Sequence, residues 1–199
     1  GQLSAHQNYM HLYINGLYWG LYHLIERPSA PFLAAHLGGN REEYDSLNVG
    51  EPVDGDLQAW NSMMQIAEGD ISTPEAWDQV QQYLDVPNLV DWMILNFYVG
   101  NVDWDHNNWY AGRRRLPGEG YKFFVWDAER TFWNLNENRT GLNNANRPSR
   151  LHQRLATNEE YKTLFRDRVQ RHFFDDGVLT AEAAQARWDS FAEHIELAL

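Results

Sequence analysis

Aromatic and branched apolar residues run through Tyr9-Met10-His11-Leu12-Tyr13-Ile14, break at Asn15-Gly16, and return through Leu17 to Ile25. Asn-Gly between two such runs is the strongest short hairpin signal, and Pro28 ends the second strand because it cannot donate to a ladder. The polar, glycine-bearing stretch 37–55 is expected to be mostly loop, with one short strand near 44–49. From Asp56 the period changes. Trp60, Met63, Met64 and Ala67 fall at i, i+3, i+4, i+7, which predicts a helix with Asp56 as its cap. Thr73-Pro74-Glu75 opens a second helix that reaches about Leu84, with proline at the first helical position. A third starts at residues 85–88 and continues to Gly100; it is apolar around most of its circumference and should be buried.

Strands are expected next at 108–112 and 120–126, then a long polar surface loop at 134–148, of the length that often binds or covers a ligand. Helices near 149–156, 158–173 and 180–198 complete the pattern. The class is therefore α+β: a small β-rich N-terminal part (1–55) and a larger helical part (56–199), with a hairpin at 101–127 where they meet. At 199 residues the chain is long enough for one sizeable domain and too short for two of ordinary size. It opens on Gly1-Gln2-Leu3 and stops within a helical pattern, so it reads as a fragment truncated at its N-terminus.

Composition narrows the chemistry. The formal charge of −12 disfavours a nucleic-acid partner. The one basic run, Arg113-Arg114-Arg115, is expected at a hairpin tip. With no cysteine, thiolate chemistry and disulfides are excluded. No apolar run approaches the length of a membrane span. Lysine occurs only at 122 and 162.

The chemistry concentrates in Asn101-Val102-Asp103-Trp104-Asp105-His106-Asn107-Asn108-Trp109, followed by Phe123-Phe124-Val125-Trp126-Asp127. Asp103 and Asn108 have the Asp-x-x-x-x-Asn spacing of a phosphotransferase catalytic loop. There the carboxylate receives the acceptor hydroxyl proton and the amide holds a metal ion. Asp127, at the end of an apolar strand, stands where such a hairpin delivers a second metal-binding carboxylate. As a buried acid it would need a counter-charge. The spacing alone is weak; the order of buried helix, loop, strand, turn, strand and Asp gives it weight. The plain readings remain beside it: Asp103 as a turn anchor, Asp127 as a strand-ending cap, Asn107 as a turn former or a partner of Asp103. Asp105 and His106 are expected to be solvated, and Trp104, Trp109 and Trp126 to pack rather than stack on a base.

The blocks 11–27, 95–104, Asn107-Asn108-Trp109 and Val125-Trp126-Asp127 resemble the CotH kinase family of spore coat protein H and its relatives. The resemblance spans residues 11 to about 133. It implies an atypical protein-kinase-like fold, ATP and Mg²⁺ as cofactors, and phosphorylation of Ser or Thr hydroxyls on a protein substrate. An extracytoplasmic or cell- or spore-surface location is also implied. On the matching positions, Asp103 is the catalytic residue and Asn108 and Asp127 are metal ligands. Glu26 and Arg27 belong to the nucleotide pocket, with a salt bridge as the alternative for Glu26. The chain departs from kinases in having no glycine-rich phosphate loop and no lysine before Asp103. Arg27 or an upstream residue would have to supply that cation. Two other classes compete: a non-catalytic scaffold module of a coat or surface assembly, and a Ca²⁺- or sugar-binding surface built on Asp103-x-Asp105 and the asparagines at 143–146.

Overall fold

The computed structural model describes residues 2–196. It is α+β, with seven α-helices and two antiparallel sheets among the described residues. The chain divides into two compact units. The first is Pro28–Phe165 with the N-terminal residues through Ser4; the second is Ala5–Arg27 with the chain from Arg166 onward.

The first unit is built on a four-stranded sheet of order β4-β3-β5-β6, comprising β3 (Tyr44–Asn48), β4 (Glu51–Asp54), β5 (Trp109–Arg114) and β6 (Lys122–Val125). Residues from both sides of position 56 pair in it: Leu47 faces Ala111, which faces Phe123. Alternation along β5 gives the two faces. Trp109 and Phe123 meet Trp60 of α2 (Gln58–Glu68) at ring-centroid distances of 5.6 and 6.2 Å, and Trp92 of α4 (Val86–Tyr98) lies 5.1 Å from Phe123. On the opposite face Phe124 meets Phe32 of α1 (Ala30–Leu37) edge-on at 5.6 Å. A Cβ on Gly112 would come within 2.4 Å of Leu33 Cδ1, so glycine sets the approach of α1 to the sheet. Helices on both faces bury both sides of β5, which is why its residues show no polar alternation.

The helical expectations hold to within a residue or two for α2, α4, α5 (Pro148–Leu155) and α6 (Glu159–Phe173), whereas α3 (Pro74–Gln81) stops three residues short of Leu84, which instead bridges to Tyr121. Each start has its local cause. Leu57, not the expected Asp56, holds the N-cap position of α2, though Asp56 Oδ1 accepts from Gln58 N at 2.8 Å; Thr73 caps Ala76 N at 3.3 Å, and Asp85 caps Asn88 N at 3.0 Å. Arg154 of α5 donates to the carbonyls of Ala67, Glu68 and Gly69, occupying the open end of α2. Helix α1 and strand β4 depart from expectation. Helix α1 has only eight residues with apolar positions all round, and β4 contains Pro52 at the sheet edge, where the missing donor costs nothing. The arginine run is also not a loop tip: Arg113 and Arg114 lie in β5, and Arg114 and Arg115 pair with Glu43 and buried Asp45.

In the second unit β1 (Gln7–Ile14) and β2 (Leu17–Ile25) form the expected hairpin, with Asn15 and Gly16 both at positive φ. Tyr9 stacks on His23 across it at 4.7 Å. Helix α7 (Ala181–Glu196) also belongs here; the expectation that it continues to 198 falls outside the described residues. No described helix is long and apolar enough to cross a membrane.

Candidate functional site

Helix α4 ends in a turn that aims the following loop. Gly100, at φ +56°, donates to Phe97 O, and Asn101 N reaches back to Asn96 O, both at 3.2 Å. This paired closure through a left-handed glycine satisfies the last carbonyls of the helix. Buried amides continue the connection. Asn96 Nδ2 donates to Trp92 O (2.9 Å), Asn101 Nδ2 to Asn96 Oδ1 (3.0 Å), and Asp103 N to Asn101 Oδ1 (3.2 Å). Asn96 and Asn101 are buried, so leaving either unpaired would be costly, and the backbone of Asp103 is tied to the helix core.

The structure brings Asp103, Asn108 and the backbone of Asp127 to one place. Asn108 immediately precedes β5 and Asp127 follows the end of β6, where Trp109 faces Val125, so the two residues leave the same end of the hairpin. Asn108 Nδ2 donates to Asp103 Oδ2 at 2.9 Å and to Asp127 O at 3.2 Å. Asn107 Nδ2 and His106 Nε2 approach Asp103 Oδ1 at 3.3 and 3.2 Å. Asn108 and Asp127 both sit at positive φ, +61° and +50°, which non-glycine residues seldom adopt. The segment after Asp127 is held beside the end of α4 by Val102 N to Arg130 O (3.2 Å) and Phe132 N to Val99 O (2.8 Å). The Asp103 side chain retains 19% of its exposure.

Several expectations change. Asp127 is exposed, so the argument from a buried carboxylate does not apply to it. Asp105 is the reverse: expected in solvent, it is fully buried. Its carboxylate accepts from Asn144 Nδ2 (2.6 Å) and from Ser149 N in the first turn of α5 (2.7 Å), and its carbonyl accepts from Trp109 Nε1 (3.0 Å). Asp103 and Asp105 therefore serve different surroundings. The asparagines of the competing calcium or sugar surface are likewise engaged: Asn143 with Arg150, Asn144 with Asp105, and Asn146 with Trp60 Nε1. Trp104 and Trp109 are fully buried, as expected for packing residues, and Trp126 lies edge-on to Tyr110 at 5.2 Å. His106 is exposed, as expected, though beside Asp103.

Glu26 and Arg27 belong to the second unit, whereas Asp103, Asn108 and Asp127 all belong to the first. Glu26 Oε2 accepts from His6 N at 3.0 Å and lies 3.5 Å from His6 Nδ1. Sequence reasoning missed the Asn96–Asn101 connection; its signal was two asparagines flanking the end of an otherwise apolar helix.

The residue pattern and the whole chain agree on kinship: the family model described as CotH kinase protein matches residues 1–199. No curated protein matches the chain.

Proposed function

Since the chain belongs to the CotH kinase family, we propose that it is a phosphotransferase that uses ATP and Mg²⁺ to phosphorylate Ser or Thr hydroxyls of a surface or coat protein. The observation that carries this reading is the Asn108 amide, bonded to the Asp103 carboxylate and the Asp127 backbone together. The donor set fits the cation. Carboxylate and amide oxygens are the hard ligands magnesium takes. Asn108, whose nitrogen makes the two bonds described, would offer its oxygen, and the exposed carboxylate of Asp127 would complete the protein's share. When bound, the ion neutralises charge on the transferring phosphoryl group.

Asp103 is proposed as the group that orients the acceptor hydroxyl and takes its proton. Asn107 and Asn108 hold one carboxylate oxygen each, which orients the plane of the acid before substrate arrives. The tie from Asp103 N through Asn101 and Asn96 to α4 keeps that orientation from drifting. Glu26 and Arg27 are assigned to the nucleotide on the family blocks alone.

The test is phosphate incorporation from labelled ATP with Mg²⁺, comparing the chain with Asp103→Asn. General-base catalysis of this kind contributes about 10²- to 10⁴-fold, so incorporation should fall by at least about 100-fold. Equal incorporation by the variant refutes the assignment.

A second reading, a non-catalytic scaffold, has its own support: Asp103 is already engaged by Asn107, Asn108 and His106, an arrangement that suffices to hold a turn. A thermal midpoint that rises only when ATP and Mg²⁺ are both present favours the enzyme. No response from the folded chain favours the scaffold.

A further inference from the structure

We propose that Arg130 is the cation that grips the phosphates of the nucleotide, in the role a lysine fills in kinases. This rests on the nucleotide site proposed above. Both lysines are committed elsewhere, Lys122 to Asp85 and Lys162 to Glu159, at 2.6 Å in the latter case.

Among the described cations of the first unit, Arg130 stands apart. The other guanidinium groups donate to a carboxylate or a carbonyl, as Arg114 does to Glu43, Arg139 to Glu137 and Arg150 to Glu68. Arg130 has neither kind of partner among the described residues. Its guanidinium carbon lies over the Trp133 ring, 4.9 Å from the centroid, and its Nε–H is buried without an acceptor. The guanidinium thus carries a charge that no carboxylate or carbonyl among the described residues offsets, and its terminal nitrogens, unlike Nε, are not among the buried unpaired atoms. The ring of Trp133 holds the planar group by cation–π attraction while leaving its two terminal NH2 groups able to bond an anion.

Position ties this group to the candidate site. The Arg130 carbonyl accepts from Val102 N, the residue next to Asp103, and the Phe132 N to Val99 O bond fixes the same short segment that follows Asp127. Arg130 therefore stands three residues after the proposed metal ligand Asp127, with its backbone bonded to the neighbour of the proposed base Asp103. Guanidinium is suited to phosphate because two N–H groups can bond two oxygens at once.

The test measures binding by calorimetry, using tripolyphosphate, ATP with Mg²⁺, and adenosine as probes. The chain is compared with Arg130→Ala, Arg130→Lys and Arg130→Gln, the last keeping a stem to cover Trp133. Arg41→Ala, which removes an exposed pair with Glu42, controls for overall charge. Loss of a charge-assisted contact should weaken tripolyphosphate and ATP by about 10- to 100-fold while leaving adenosine unchanged. Arg130→Lys should recover part of this, and Arg41→Ala should match the unaltered chain. Equal affinity in Arg130→Gln and the unaltered chain overturns the proposal, as does the absence of any polyphosphate binding. The two readings fail separately. ATP binding that ignores Arg130 removes this role and leaves the kinase reading intact. Arg130-dependent polyphosphate binding with Asp103→Asn still fully active removes the proposed base and leaves Arg130 in place.

Discussion

Asp103 and Asp105 lie two positions apart and should respond to mutation in opposite ways. Replacing the fully buried Asp105 with Ala removes the acceptor of the buried Ser149 N–H and of the amide of exposed Asn144, at 2.7 and 2.6 Å. Hydrogen bonds to a charged group contribute about 1.5–3 kcal/mol each, and the stranded buried Ser149 N–H adds to the loss, whereas the Asn144 amide can turn to water. The expected destabilisation is therefore about 3–5 kcal/mol. That is a large part of the roughly 5–15 kcal/mol that holds a typical domain. Asp105→Asn keeps the shape and one acceptor oxygen, so its cost should be smaller, about 1–2 kcal/mol. Asp103 is partly exposed and its partners can turn to water, so Asp103→Asn should cost less than about 1 kcal/mol while lowering phosphate incorporation by at least about 100-fold. Urea denaturation followed by circular dichroism gives the stabilities, and the incorporation assay gives activity. If Asp105→Ala costs under about 1 kcal/mol, or if the two sites destabilise equally, the division of labour between these acids is wrong.

Two further outcomes test the packing. His152 is buried against Phe97, Tyr161 and Phe165, with Nδ1 2.7 Å from the Tyr161 hydroxyl. Burial lowers its pKa from 6.5 to about 4, so the folded state keeps it neutral where the unfolded chain takes up a proton. Its contribution is intact above pH 6.5 and is lost as pH falls toward 4, by up to about 3 kcal/mol. His152→Gln should flatten that part of the stability profile, and an unchanged slope between pH 6.5 and 4 refutes it. Gly120→Ala would place a Cβ 2.3 Å from the Leu84 carbonyl carbon, backbone that cannot swing aside, and should cost about 1–3 kcal/mol. Gly141→Ala meets nothing within 4 Å and serves as the comparison in the same urea titration.

Much of this architecture was legible because the local signals were strong. Asn15-Gly16 specified a hairpin, Thr73-Pro74 and Asp85 opened helices, and the apolar circumference of α4 marked it as buried. Helix α1 and strand β4 were not legible. Their short segments carry neither a clear period nor a long apolar run, and what settles them is contact with β3 and β5 from elsewhere in the chain. At the site, spacing pointed to Asp103, Asn108 and Asp127, and the Asn108 amide bonds to the Asp103 carboxylate and to the Asp127 backbone carbonyl rather than its carboxylate. Spacing could not say which loop acid is buried. That depended on Asn144 and Ser149, about forty positions downstream, folding back over Asp105. Nor could it separate Arg130 from its many paired neighbours, since pairing is a matter of three-dimensional company.

The pairing of β3 with β5 also bears on how this chain can be cut for experiments. Tyr44–Asn48 donates and accepts along nearly the full length of Trp109–Arg114, so any recombinant piece that starts after residue 56 would strip one side of β5 of its ladder. The bared row of amides and carbonyls, flanked by aromatic side chains that had lain under α1, would invite pairing with other copies and precipitation. A boundary drawn for expression should keep Pro28 through Phe165 together, even where an assay concerns only the hairpin and its acids.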